Sequence, residues 1–198
     1  MEVNKIGDIM KQLFKIQYIL ILLLILSQSS CEDSFDYNHV SGDDGQYDGT
    51  AWDYINNAAP VDSLTLMKEA ISLTGLQNIY SGSEQRTFVV PRNKAFRAYL
   101  KANNYASLAA IPVDNLRNTL KYHIAKGVYC TQDPQFMAKD TPIQYDTEAL
   151  YPIFFSHNTN FQTQINFGSK KVYTVYISNI QPTNGVIHIT SDVIGYIP

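Results

Sequence analysis

Apolar residues recur at helical spacing only as far as Gly127, and beyond Tyr129 that periodicity is gone. This order constrains the fold most, because it puts helices in the first part of the chain and strands in the second. Trp52, Tyr54 and Ile55 suggest a short first helix. Asp62 stands where an N-cap belongs, with Val61 before it as a staple partner. Leu66, Ala70 and Leu73 then follow at helical spacing, Met67 and Ile71 form an adjacent stripe, and Gly75 closes the pattern. Thr87-Phe88-Val89-Val90 is a β-branched and aromatic run closed by Pro91, which predicts a strand. Asn93 is placed to cap a helix through Leu100 that buries Phe96, Tyr99 and Leu100. Asp114 is placed to cap another, with Leu116, Leu120 and Ile124 on one face and Gly127 as its stop. Behind them, residues 143–145, 153–155, 163–167, 172–177 and 186–190 read as strands between Pro, Asn and Gly turns. Helices first and strands afterwards give an α+β class, without the alternating order of a doubly wound parallel sheet.

A length of 198 residues allows one domain and a tail. The net charge of −3 is unevenly spread. Residues 1–31 carry Lys5, Lys11 and Lys15 against Glu2 and Asp8, whereas residues 32–50 carry Glu32, Asp33, Asp36, Asp43, Asp44 and Asp48 with no Lys or Arg. The remainder is nearly balanced, which argues against a nucleic-acid partner and against a heavily charged disordered chain. Lys11 and Lys15 precede an apolar run over residues 16–26, interrupted only by Gln17 and Tyr18. At ~1.5 Å per residue that run spans roughly 17 Å, well short of a ~30 Å hydrocarbon core, so a cleaved signal segment fits better than a membrane span. Ser27-Gln28-Ser29-Ser30-Cys31 resembles the lipobox of bacterial lipoproteins, with Gln28 where that box usually has an aliphatic residue. The simpler alternative is an ordinary signal peptide followed by a Cys. The expected organisation is a signal peptide over 1–30, a lipidated Cys31 opening a flexible acidic tether over 31–50, and a domain over 51–198. Several acyl chains on Cys31 would anchor the chain stably to a membrane. A flexible tether of this length has an r.m.s. span of about 25 Å. Its acidic residues resemble the surface-export signals of some Gram-negative lipoproteins, so the expected location is the outer membrane, exposed at the surface. The plainer reading of the acidic stretch is a solvated linker.

Three boxes in the domain carry a family resemblance. Residues Thr87 to Phe96 (TFVVPRNKAF) resemble the first box of fasciclin (FAS1) domains, a strand followed by Pro-x-Asn-x-Ala-Phe. Leu120 to Gly127 (LKYHIAKG) is similar to the central Tyr-His segment, and Asn179 to Ile189 (NIQPTNGVIHI) to the closing box. The resemblance covers residues 51–198 and is loose from Thr131 to Gly168. It implies a wedge-like β-sandwich with several helices packed at one edge. It also implies adhesive activity, because the Tyr-His segment of animal fasciclin domains has been proposed as an adhesion determinant, here Tyr122 and His123.

Most of the box residues have a structural reading. Pro91 and Asn93 close the strand and open the helix, Ala95 lets that helix approach a sheet, and Phe96 would bury roughly 150–250 Å². Asn184-Gly185 offers the positive φ of a tight hairpin turn, Thr183 and Asn184 can bond nearby backbone groups, and His188 alternates with Ile187 and Ile189. Tyr122 and His123 have two readings: a surface adhesion motif, or a helix end with His123 bonding backbone carbonyls in the core.

Enzyme signals are poor. The chain has no Gly-x-Ser-x-Gly, His-Glu-x-x-His or phosphate-binding glycine pattern, and its four His have no metal-ligand spacing. No catalytic residue, cofactor or metal is expected. The basic run Arg92, Lys94, Arg97 and Lys101 reads as a solvated helix face, and Cys130 as a lone buried thiol or an intermolecular disulfide partner. The expected function is a cell-envelope lipoprotein mediating adhesion or binding of an extracellular protein or glycan. The alternatives are an accessory glycan-capture lipoprotein of a polysaccharide-uptake system and a non-binding structural spacer.

Overall fold

A computed structural model describes residues 45–57, 64–131, 133–137, 141–160 and 162–195. Cys31, the signal segment, residues 32–44 and the expected Asp62 cap with Val61 lie outside the described residues. Three helices come first, α1 (Ala51–Asn57), α2 (Thr65–Thr74) and α3 (Gln77–Ser81), followed by strand β1 (Arg86–Pro91). Then come α4 (Asn93–Ala102), a 3₁₀ turn (Leu108–Ala110), α5 (Val113–Tyr122), β2 (Ile124–Lys126) and the single turn α6 (Pro134–Met137). Strands β3 (Ile143–Asp146), β4 (Pro152–His157), β5 (Thr163–Ile165), β6 (Tyr173–Ile180) and β7 (Gly185–Thr190) complete the order.

The α+β class is what the structure shows, and the strands form one seven-stranded sheet in the order β2-β1-β7-β6-β5-β4-β3. Only β1 and β7 run parallel, in register from Arg86 with Gly185 to Pro91 with Thr190. The two ends of the sheet meet: Ala125 bridges Thr147 antiparallel, and the Glu148 N–H donates to the Ile124 carbonyl at 3.0 Å. The expected wedge is therefore a single sheet curled almost into a barrel, which leaves few free strand edges.

The curl makes two cores from one sheet. Outside it, Phe88, Val90, Ile180, Ile187 and Ile189 pack against helical residues including Met67, Ile71, Phe96, Leu116 and Leu120. Inside it, Val89, Tyr129, Ile153, Phe155, Ile165 and Tyr173 fill the space between strands. All six residues of β7 are buried, because this central strand faces a core on each side.

Several local expectations shift. Among the described residues, those ahead of Ala51 already contact the domain: Tyr47 donates to the Gln181 carbonyl at 2.9 Å, Gln181 to Gly45 at 2.8 Å, and Thr183 to Gly49 at 2.8 Å. Thr50 and Asp53 then form a reciprocal cap, Thr50 N–H to Asp53 at 2.8 Å and Asp53 N–H to Thr50 Oγ1 at 3.2 Å, which opens α1. These hydrogen bonds hold a polar stretch that composition alone assigned to the tether. Leu73 is 41% exposed, and Thr74 takes its place on the buried stripe by donating its hydroxyl to the Ala70 carbonyl at 2.8 Å. Ile124 belongs to β2 rather than to the helix before it, because α5 stops at Tyr122. Asp114 pairs with Arg117 in the first turn instead of capping. Gly127 lies beyond β2 at φ +133°, where an added Cβ would meet the Tyr145 ring at 2.9 Å. Strand β5 ends at Ile165 because Asn166 turns left-handed at φ 57°. Cys130 is buried, so an intermolecular disulfide would require the domain to open.

Asn93 and Asn184 act across the fold. Asn93 does not cap its own helix; its Oδ1 accepts the Leu66 N–H at 2.8 Å and its Nδ2 donates to Thr65 Oγ1 at 2.8 Å. It thereby satisfies the otherwise unpaired start of α2. Asn184 accepts the Ala51 N–H at 2.8 Å and donates to the carbonyls of Tyr80 at 2.9 Å and Gly82 at 2.8 Å. The positive φ of the closing box falls on Gly185 alone, at +142°, and its main reason is space rather than turn type. A Cβ there would lie 1.8 Å from the Arg86 carbonyl oxygen. Gly185→Ala is therefore expected to destabilise the fold by more than about 3 kcal/mol. Urea unfolding would check it, and a loss below about 1 kcal/mol would contradict the close approach.

Candidate binding site

The site builds up from the end of α5. The helix stops because His123 turns its imidazole back into the core: Nδ1 donates to the Thr119 carbonyl at 2.7 Å, and Nε2 accepts the Ile194 N–H at 2.9 Å. Its own carbonyl accepts from Val89 at 2.8 Å, which fixes the helix end to β1. His188 does the equivalent on β7 with the opposite tautomer, Nε2 donating to the Tyr129 carbonyl at 2.9 Å and Nδ1 accepting the Asn179 N–H at 3.4 Å. Both rings have 0% exposure. Burial pushes both imidazoles down from 6.5 to about 4, against the smaller opposing effect of the carbonyl each one contacts.

Tyr122 is 3% exposed and ties three elements together. Its hydroxyl donates to the Pro152 carbonyl at 3.2 Å and accepts from Asn166 Nδ2 at 3.2 Å. Burial raises its phenol above the ordinary value. The two residues of the Tyr-His segment are thus inside the fold, and a partner at this end would meet the surface beside them.

That surface is a cleft of about 540 Å³ lined by Tyr99, Asn118, Thr119, Tyr122, Ala149, Tyr151, Ile194 and Gly195. Tyr99 comes from α4, Asn118 and Thr119 from α5, and Tyr151 from the hairpin between β3 and β4. The hairpin is pinned at several points: Thr147 Oγ1 donates to the Tyr151 carbonyl at 2.7 Å, and the Leu150 N–H to the Thr147 carbonyl at 3.0 Å. Glu148 is bound by Arg86, whose Nε donates at 3.0 Å, with both side chains mostly buried. Leu150, at the tip, is 81% exposed and left-handed at φ 64°, a conformation that costs a non-glycine residue about 1–2 kcal/mol. Tyr151 is 43% exposed at the cleft.

The structure brings Tyr122 and His123 together at this end. Pro91, Asn93, Ala95 and Phe96 sit at the β1–α4 junction, and Thr183, Asn184, Gly185 and His188 around the start of β7. Tyr99, Asn118 and Tyr151 were not singled out by sequence reasoning as binding residues. Only their residue types hint at it, and Tyr151 lies in the stretch that resembles the family loosely. Lys94, Arg97 and Lys101 are exposed along α4, whereas Arg92 is partly covered and stacks on the Tyr176 ring at 4.1 Å. Among the described residues no cluster of His, Cys, Asp or Glu could hold a metal ion, and no helix is long and apolar enough to cross a membrane.

Comparison with known proteins gives the class of the fold. The Fasciclin domain family model matches residues 62–196, and the chain belongs to that family. Fasciclin domains are linked to adhesion or binding in general. Among solved structures the chain is similar to the FAS1 domain pair from the insect cell adhesion molecule fasciclin I. That similarity has a TM-score of 0.60 and 15% identity over 75% of this chain and 51% of that one. The chain spans about half the length of that two-domain structure, and the likeness is one of fold. No curated protein matches the chain significantly.

The buried histidines give stability a pH dependence of known sign. Unfolded, each ring takes its proton near 6.5; folded, at about 4. Between those values the unfolded chain holds more protons, so stability is full above pH 6.5 and falls as the pH drops towards 4. Each ring contributes up to about 1.4 kcal/mol per pH unit in that window. Urea midpoints at pH 7 and pH 5 should therefore differ, and the difference should shrink in His188→Gln; equal midpoints would sink the assignment. His123→Ala leaves the Ile194 N–H and the Thr119 carbonyl without their partner and is expected to cost about 3 kcal/mol. A thermal melt unchanged by that substitution would show that the ring is not structural.

Proposed function

We propose that this chain is a lipid-anchored cell-envelope protein that displays its fasciclin domain to bind an extracellular protein or glycan. The observation that carries the binding role is the cleft at the Tyr122 end, whose described lining is phenols, an amide, a hydroxyl and apolar groups with no acid or base. Such a lining suits recognition rather than proton transfer or nucleophilic attack. The adhesive role of the insect molecule that shares the fold supports the same reading. In this proposal acyl chains on Cys31 fix the protein to the outer membrane, the acidic residues after it supply reach, and the domain meets its partner outside the cell.

Mass spectrometry of the mature N-terminus and protease shaving of intact cells test display. The expected outcome is an acylated Cys31 as first residue, release of the domain by shaving, and loss of membrane fractionation in Cys31→Ser. An unmodified Cys31 or cleavage at another site would overturn the anchor. Protection of the domain in intact cells that becomes sensitive after outer-membrane permeabilisation would place it on the inner face instead.

A further inference from the structure

We infer that the cleft between α4, α5 and the β3–β4 hairpin is a binding site for a neutral glycan, with Tyr151 as its principal stacking residue. This rests on the display reading above and names the ligand class of the same site. Three tyrosines, Tyr99, Tyr122 and Tyr151, come from three different elements to line one concave surface. A pyranose ring has an apolar C–H face that packs on an aromatic ring and hydroxyl edges that need donors and acceptors. The cleft offers both kinds of surface, since the exposed Asn118 amide lies beside the phenols.

Charge decides against the nearest rivals. No Asp, Glu, Lys, Arg or His is among the described lining residues, so a phosphate, an acidic sugar or a charged peptide would find no counter-ion. A strand-forming peptide would need an open sheet edge, but the β2–β3 seam beside the cleft is closed by the Ala125–Thr147 bridge. A purely apolar ligand would offer nothing to the exposed Asn118 amide. The volume of about 540 Å³ lies within the range of small-molecule sites, and the cleft is open enough to admit part of a longer chain.

The platform is also rigid. The hairpin that presents Tyr151 is held by Thr147, by the Glu148–Arg86 pair and by the Tyr122 hydroxyl on Pro152, and it accepts a left-handed Leu150 at its tip. An aromatic platform fixed before the ligand arrives loses little freedom on binding.

The test uses the full chain in detergent micelles on an array of neutral oligosaccharides, with glucans, mannans and galactans of several linkages, followed by titration calorimetry with the best-bound sugar. Binding to at least one neutral glycan is expected. It should weaken at least tenfold in Tyr151→Ala and measurably in Asn118→Ala, with the melting temperature of each variant unchanged. Tyr151→Phe should bind nearly as well as the parent. Tyr176→Ala, which removes an exposed tyrosine on strand β6, should leave binding intact. The inference is overturned by a folded protein that binds no neutral glycan, by binding that survives Tyr151→Ala, or by an equal loss in Tyr176→Ala. Recovery of only charged glycans or of a protein ligand at the cleft would also overturn it. If shaving and N-terminal mass still show an anchored, displayed domain, the ligand class falls and the display reading stands.

Discussion

The parallel pairing of β1 with β7 is the contact on which the rest of the molecule depends. It joins two strands distant in sequence, and it works only because Gly185 has no side chain to strike the Arg86 backbone. Immediately before that glycine, Asn184 reaches the first turn of α1 and the last carbonyls of α3. One dipeptide therefore sets the approach of the central strands and the seating of two helices on them. The same pair of strands divides the two cores. Phe88 and Ile187 look toward the helices, while Val89 and His188 look into the curled sheet.

Histidine is used here as a shaped hydrogen-bonding group rather than as a reagent. His123 and His188 each accept one backbone N–H and donate to one carbonyl, through opposite nitrogens. A neutral imidazole can do this in the dry interior, where a lysine or a carboxylate would bring an uncompensated charge. The cost is acid sensitivity, because protonation removes the acceptor nitrogen. The Tyr-His segment thus anchors the end of α5 and leaves Tyr151, Tyr99 and Asn118 as the groups that face outward there.

Much of this was legible in the sequence. The strand at Thr87–Val90, the helix after Asn93, the break at Gly75 and the late strands follow from periodicity and turn chemistry, which are local. The roles of Asn93 and Asn184 were not legible: Asn93 reads as a cap for its own helix and Asn184 as a turn residue bonding nearby backbone, whereas both amides serve helices elsewhere in the chain. Ile124 was read as the next turn of α5 since its spacing fits, and only the inward turn of His123 ends the helix before it. The docking of Gly45 to Thr50 was hidden by polar composition, because backbone hydrogen bonds to Gln181 and Thr183 leave no hydrophobic signature. The cleft is the least legible feature. Tyr151 looks like any strand-end tyrosine until the hairpin brings it beside α5.

The seating of Gly45, Tyr47 and Gly49 on Gln181 and Thr183 has a mechanical consequence. Tension arriving along the chain from before Gly45 does not pull first on helix α1. It enters at the loop between β6 and β7, where several backbone hydrogen bonds share the load, and passes through Asn184 into the central strand. The domain is therefore gripped beside its central strand, and helices α4 and α5 with the tyrosine-lined cleft lie off the load path.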